Sequence, residues 1–538
     1  MKVSDFVIKC LTEYGATDAF GIPGGVILPF LYALDASKIR PHLTYHEQTA
    51  AFAACGYAQA SGKLGVAYAT RGPGISNMFT AVAEAYQESL PVIFITAHGS
   101  REDTARTRFV SNQELDVVHS VSNITKYAVN IDAITDVVKC FRRACLEATS
   151  GRKGPVLVDF SSQLWNKDIV EKEKGNVETE HNKADVIIRE IGERIKAAAR
   201  PVFLIGDGLR NLTDKDALLK IADRLGVPIL SSKGTQDLLS GSSFYYGYIG
   251  SHGIRYSNFI LSKADLIVAV GNRMAFPRSS KSFAPILKNK KIIKIDIDEG
   301  ELLNSIPGET SYLANAKDLI EELKKDCGCI KKKEWIEVCD SLKNELLNED
   351  CTKPVMEITE CIEKQEDVIY VCDVGNNEFW FSRAYEKCGC TDMILASKSF
   401  GTLGSAIGKA IGAYYAKRKK VICVVGDQGL QYNIQELQYI KQHELPIDIL
   451  LLNNQCSGMI ADHEGNRFDG KLLHVNKDTG YSCPDFKAVF TAYGIEDRLI
   501  ELDIEEGEKL IPSLPKGNPC QDMEPALDKE KYEKLNAL

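Results

Sequence analysis

The stretch "VICVVGDQGLQYN", residues 421–433, puts a carboxylate at the mouth of an apolar strand. Val421 to Val425 are continuously apolar, the pattern of a strand covered by helices on both faces of a parallel sheet. A helical pattern, "NIQELQYIKQH", is expected to begin at Asn433, leaving Gly426, Asp427, Gln428 and Gly429 in the turn. The next apolar run, "IDILLLNN", ends in Asn453 and Asn454. Parallel neighbours joined by one helix bring their carboxyl ends side by side, so Asp427 and Asn454 should face one crevice. Backbone amides of Gln428 and Gly429 would lie there at a helix N-terminus. Oxygen ligands beside such a terminus suit a hard cation bridged to phosphate. Either residue alone would read as a helix cap or a turn former; the pair at this separation does not.

The same grammar runs through the chain. "LGVAYAT", "PVIFITA", "GPVLVDF", "PVFLIG", "ADLIVAVG", "KIIKIDID" and "DVIYVCDVG" are short β-branched runs, each followed by a helix-like segment. They predict an α/β protein whose sheets are mostly parallel and flanked by helices, with ligands at the carboxyl ends of the strands. Two charged stretches, 166–185 and 324–354, read as linkers with some helix. They leave three domains, 1–165, 186–326 and 355–538, each of ordinary size.

Composition narrows the function. The chain has 538 residues, 44% of them hydrophobic and 26% charged, with a net charge of −9. That balance disfavours a nucleic-acid partner, which calls for a basic face. No apolar run approaches the ~20 residues that span a bilayer. The start, "MKVSDFVIKCLTEYG", carries acids within its apolar pattern and does not read as a signal peptide. The 16 cysteines, several of them inside apolar patterns, are expected to be reduced thiols of a cytoplasmic protein. "CGC" at 327–329 and 388–390 lacks the two-residue gap usual in zinc ribbons. No Gly-x-Gly-x-x-Gly follows a strand, which disfavours a dinucleotide-binding oxidoreductase.

Three separated motifs resemble those of thiamine diphosphate (ThDP) enzymes, in the order pyrimidine domain, central domain, diphosphate domain. "GDQG" through "LLLNN" is similar to that family's diphosphate–magnesium motif, with Gln428 where a smaller residue is usual. The resemblance implies Mg2+ held by the side chains of Asp427 and Asn454 and the carbonyl of Cys456, in a pocket formed with Gly426, Gln428, Gly429, Gly458 and Met459. "YHEQTAAFAACGYAQASGK" (45–63), followed by "ATRGPGISN", resembles the pyrimidine-domain segment and implies Glu47 as the acid at the pyrimidine N1′, with Gly72 nearby. Without the resemblance, an acid at a helix start would be a routine dipole partner. "SFGTLGSAIGKAIGA" (399–413) is expected to place Leu403 beneath the cofactor, with Gly401 beside it. Gly404, Gly408 and Gly412 are read simply as helix-packing positions. "DVGNNEFW" implies that Gly375, Asn376 and Asn377 hold the diphosphate. In this family the acid serves a cofactor held by the other subunit, which implies a homodimer or a dimer of dimers.

Within that family the chain resembles acetolactate synthase large subunits. "AFGIPGG" (19–25) and "SNQELDVVHSVSNITKYAV" (111–129) match, with Asn112 replacing a Phe. They imply Gln113 and the backbone of Gly24 and Gly25 near the reacting carbonyl. The lone His119 replaces the His-His pair of simple decarboxylases, so carboligation is favoured over plain decarboxylation. "GYIGSHGIRYSNFIL", "VAVGNRMAF" and "IIKIDIDEGEL" resemble a flavin-binding central domain. They imply His252, Gly253, Gly271, Arg273 and Asp296 beside FAD; a domain kept for packing alone is the alternative, because "GNRMAFPRSS" departs from the acidic synthase sequence. His463 stands where synthases place an acceptor-selecting Trp, with a polar surface residue turned away from the pocket as the alternative reading, and the tail (513–535) is also unlike theirs. The expected substrates are a 2-oxo acid, pyruvate first, and a carbonyl acceptor, with a nucleotide-linked ketosugar as one acceptor class. A regulatory subunit is neither implied nor excluded.

Overall fold

Each strand-rich block of the sequence builds its own sheet. The computed structural model describes residues 1–99, 112–170, 184–212, 214–275, 284–303, 306–325, 331–349, 351–505 and 507–508. The first sheet contains β1 (Asp18–Gly21), β2 (Arg40–Leu43), β3 (Gly65–Tyr68), β4 (Val92–His98), β5 (Tyr127–Ile131) and β6 (Val156–Ser161), in the order β2-β1-β3-β4-β6-β5. The second contains β7 (Pro201–Ile205), β8 (Ile229–Ser231), β9 (Tyr245–Tyr248), β10 (Leu266–Val270), β11 (Lys291–Asp296) and β12 (Glu309–Leu313), in the order β12-β11-β10-β7-β8-β9. The third contains β13 (Ile369–Cys372), β14 (Met393–Ala396), β15 (Val421–Gly426), β16 (Ile447–Asn453) and β17 (Leu499–Asp503), in the order β14-β13-β15-β16-β17. The pairings within these sheets are parallel, as the apolar strand runs required.

Strand order reverses between β1 and β3, between β7 and β10, and between β13 and β15. At such a point the connections leave in opposite directions and a crevice opens beyond the carboxyl ends of the strands. Those three crevices are where the candidate residues fall.

Two sequence expectations change. The 324–354 stretch is not a mere linker: Lys333–Leu346 is a helix that buries Trp335, Cys339, Leu342 and Leu346 in the core of the central sheet. The Trp335 indole donates to the carbonyl of Pro201 at 3.0 Å. Its apolar residues are few but share one face, and the surrounding lysines and glutamates masked that spacing. The helix after β15 begins at Asp427 rather than Asn433, running Asp427–Tyr432 before a tight turn, Ile434–Glu436, and a second helix, Leu437–Gln442. Asn433 interrupts because its side chain is occupied elsewhere, accepting from Thr49 and donating to the carbonyl of Gly404.

The Glu47–Ser61 helix lies backbone to backbone against Ala406–Lys417 of the third domain. A Cβ on Gly56 would overlap the backbone of Lys409, and one on Gly412 the carbonyl of Ala53. Gly408 packs on Phe52 and Thr49 in the same way, so Gly408 and Gly412 are packing glycines. Gly404 packs too, closely on Tyr432, but from outside the helix: it precedes it in a left-handed turn, φ 82°, and its N–H donates to both oxygens of Asp373 at 2.9 Å. A four-residue spacing continuous with the helix concealed that break. One apolar core runs through this contact and joins strands of the first and third sheets, whereas the central sheet has cores of its own.

Candidate active site

The third crevice is built from the turns after β13 and β15. Asp427 opens its helix directly at the strand end and is buried. Its Oδ1 accepts the Gln428 N–H at 2.9 Å, while Oδ2 is enclosed without a hydrogen bond of ordinary geometry. Burial pushes the Asp427 carboxyl up to about 6, against the lowering effect of donors from Gln428, Tyr481 and Cys456. Asn454, also buried, follows β16, the strand paired with β15. Its Oδ1 accepts the Cys456 N–H at 3.3 Å. The Cys456 carbonyl accepts the Gly458 N–H at 2.8 Å, which uses one of its two lone pairs.

Gly375 and Asn376 start the helix Asn376–Lys387 across the crevice. Gly375 has φ 129°, a conformation that favours glycine. Asn377 ties the turn by donating to the Asp373 carbonyl at 2.9 Å. Both polar atoms of the buried Asn376 amide are without partners. A Cβ on Gly458 would meet Asn454 Nδ2 at 2.7 Å and Asn376 Nδ2 at 3.1 Å, so these two amides converge on one point. Met459 follows, half-buried, on the exposed helix Gly458–Arg467. A buried carboxylate oxygen and an unpaired amide, gathered at a helix N-terminus, fit a diphosphate and a hard cation.

Gln428, the residue out of pattern, has a structural task. Its Oε1 accepts the Ser457 hydroxyl at 3.0 Å, which ties the Asp427 turn to the Asn454–Gly458 turn. Leu403 is half-buried, with Cδ1 3.4 Å from where a Cβ on Gly429 would stand. Gly401 is exposed at φ 73°.

The first crevice gathers the residues of the first domain. Glu47 opens the helix after β2, and its Oε2 accepts from the Asn77 amide at 2.9 Å. Gly24 and Gly74 both press on the Thr70 side chain, and Gly72 abuts the Gln113 carbonyl. Gln113 is exposed and held at φ 59°, while Gly25 has open space around it. Its neighbour Glu114 accepts from Arg71 and from the Gly99 N–H, both at 2.7 Å, fixing Gln113 beside Gly72. His119 is a surface residue with its side chain 88% exposed. His98, which no sequence motif marks, is buried at the end of β4 between Asp132 at 2.7 Å and Asp159 at 3.0 Å. Only the distant pairing of β4 with β6 brings Asp159 there.

The central crevice opens into a cavity of about 880 Å3 lined by all five residues expected beside a flavin: His252, Gly253, Gly271, Arg273 and Asp296. The turns after β7 and β10 interlock, Gly208 N–H donating to Gly271 O at 3.0 Å. The His252 ring packs on Phe379 at 4.8 Å, and burial pushes it down to about 4. Burial also raises the Asp296 carboxyl. The walls hold ion pairs: Arg210 with Asp207 and Asp237, Lys398 with Asp207, Lys233 with Glu378 at 2.7 Å, and Arg273 with Glu301 at 3.6 Å. The 277–280 segment, the Cys-Gly-Cys at 327–329 and the tail lie outside the described residues. The Cys-Gly-Cys at 388–390 closes the Asn376–Lys387 helix.

Three crevices with these residues define a thiamine-dependent enzyme, and comparison with known proteins agrees. Residues 1–120 match the N-terminal TPP-binding domain of thiamine pyrophosphate enzymes, 188–323 their central domain, and 373–522 their C-terminal TPP-binding domain. The chain belongs to the thiamine pyrophosphate enzyme family. Within it, the chain is similar to the probable acetolactate synthase large subunit of Methanococcus aeolicus, with 31% identity over 96% of this chain and 90% of that protein. It is also similar to the acetolactate synthase isozyme 2 large subunit of Escherichia coli, with 28% identity over 97% of this chain and 99% of that one. Among the described residues no helix is long and apolar enough to cross a membrane.

Proposed function

We propose that the protein uses ThDP and Mg2+ to decarboxylate a 2-oxo acid, pyruvate first, and joins the two-carbon unit to a carbonyl acceptor, as acetolactate synthases do. The observation that carries this reading is the third crevice, where Asp427 Oδ2 is buried without a hydrogen bond of ordinary geometry and the Asn376 amide without a partner. Asp427 and Asn454 side chains, with the Cys456 carbonyl, would hold the cation; Gly375, Asn376 and Asn377 would hold the diphosphate. Leu403 supports the rings, and Glu47 holds a proton at the pyrimidine N1′. Bound ThDP supplies the nucleophilic carbon and the electron sink for decarboxylation. Gln113, with Gly24 and Gly25, presents polar groups toward the substrate carbonyl.

The central cavity is of a size that takes a dinucleotide-scale ligand, and the five expected residues among those that line it support FAD there. We assign the chain to the cytoplasm, as a homodimer or a dimer of dimers in which Glu47 reaches the partner's cofactor. His463, exposed on Gly458–Arg467, supports an acceptor more polar than a short 2-oxo acid, such as a nucleotide-linked ketosugar. Incubation with pyruvate and candidate acceptors, with products identified by mass spectrometry, tests the reading. Acetolactate or an acetylated sugar supports carboligation. Acetaldehyde alone replaces it with simple decarboxylation, and unconsumed pyruvate in the ThDP- and Mg2+-loaded enzyme overturns the pyruvate assignment.

A further inference from the structure

Glu436 is an acid whose side chain points at the Glu47 segment rather than at any cofactor contact described above. It is fully buried in the tight turn Ile434–Glu436 of the third domain. The Tyr45 N–H donates to its Oε1 at 3.0 Å and to its Oε2 at 3.2 Å, across 391 residues of chain. Its remaining donors are the His46 backbone and Gln435, with the Thr49 hydroxyl close by. Two of those three donors, Tyr45 and His46, flank Glu47. Burial pushes the carboxyl up to about 7, so an acid is kept here at an electrostatic cost. An apolar side chain would fill the interface without that cost.

The neighbouring contacts continue the line. Thr49 Oγ1 donates to Asn433 Oδ1 at 2.8 Å, Asn433 Nδ2 donates to Gly404 O at 2.7 Å, and the Gly404 N–H reaches Asp373. Gly404 follows Leu403. One polar line therefore runs from the Glu47 turn to the Leu403 turn, and Glu436 holds its Glu47 end.

We infer that Glu436 is a positioning residue for Glu47: its carboxyl group fixes the backbone of residues 45–46 and so sets where the Glu47 carboxyl stands. The inference rests on the reading of Glu47 as the acid at the pyrimidine. Glu436 supplies acceptors to residues 45–46 at the start of a helix whose first N–H groups have no intrahelical partner.

The test compares Glu436→Ala and Glu436→Gln with Glu47→Gln. Two quantities are read on protein loaded with ThDP and Mg2+: the ThDP dissociation constant and the rate at which the thiamine C2 proton exchanges in deuterium oxide. A third is amide exchange of the peptide containing residues 43–49 in protein without ThDP. We expect Glu436→Ala to slow C2 exchange about tenfold or more while ThDP affinity stays within about threefold, and to speed amide exchange at Tyr45 and His46. Glu436→Gln, whose amide oxygen still accepts, should keep most of the wild-type C2 rate. Wild-type C2 exchange in Glu436→Ala, with exchange collapsed in Glu47→Gln, overturns the inference, as does a loss of ThDP affinity that accounts for the whole effect. Wild-type exchange in Glu47→Gln overturns the reading of Glu47 itself and, with it, this inference. Should Glu436→Ala not fold, Glu436→Leu, which keeps the buried volume and removes the acceptors, is read against the same outcomes.

Discussion

The crevice at β13 and β15 and the crevice at β7 and β10 share a topology and differ in how their polar groups are satisfied. In the third domain, Asp427 Oδ2 lacks a hydrogen bond of ordinary geometry and both polar atoms of the Asn376 amide lack partners. Around the central cavity, Asp207 and Asp237 pair with Arg210, and Lys398 and Glu378 reach in from the third domain to pair with Asp207 and Lys233. A buried group without a partner costs free energy, and a ligand that satisfies it recovers that cost. A wall of internal ion pairs stands by itself. The crevice at β13 and β15 should therefore be demanding about its ligand, and the central one should give shape and modest affinity.

Changing Asp427 attacks the demanding side. Asp427→Ala should lower ThDP retention by about a hundredfold, by removing a charged ligand to the cation and phosphate corner, and added Mg2+ should restore little of it. Gel filtration followed by cofactor assay reads this, and undiminished retention would make the two crevices alike. Arg273→Ala probes the other side and should weaken FAD binding by about tenfold, roughly the worth of one charge-assisted contact, with ThDP retention unchanged. Flavin absorbance after dialysis measures it. The smallest effect belongs to a residue outside both crevices: His119→Ala should leave turnover within about twofold of wild type, as surface positions do for stability. A larger fall would restore His119 to the reaction.

Much of this contrast was legible in the sequence because strand ends announce themselves. "VICVV" and "IDILLL" could hardly be other than buried parallel strands, and their terminal Asp427 and Asn454 had to share an edge. What escaped depended on register or on distant contacts. Gly404 sat on the four-residue spacing of its helix yet belongs to the turn before it. Some helix was expected around Trp335, but its packing into the central core was hidden by its charged face. Gln428 made no sense until Ser457, on another turn, appeared as its partner. His98 between two carboxylates and Glu436 under Tyr45 arise from pairings that no local pattern encodes.

The glycine-lined contact of Glu47–Ser61 with Ala406–Lys417 also bears on how the chain is made. Its two faces are separated in sequence by the entire central domain, and Thr49 meets Asn433 across 384 residues. During synthesis the alanine-rich face of the first domain leaves the ribosome long before its cover exists. The central sheet, with cores of its own, can close in the meantime. The first domain must wait with an apolar surface bare, so its maturation is paced by translation of the last third of the chain, and slow passage through that third should expose it to chaperones and proteases for longer.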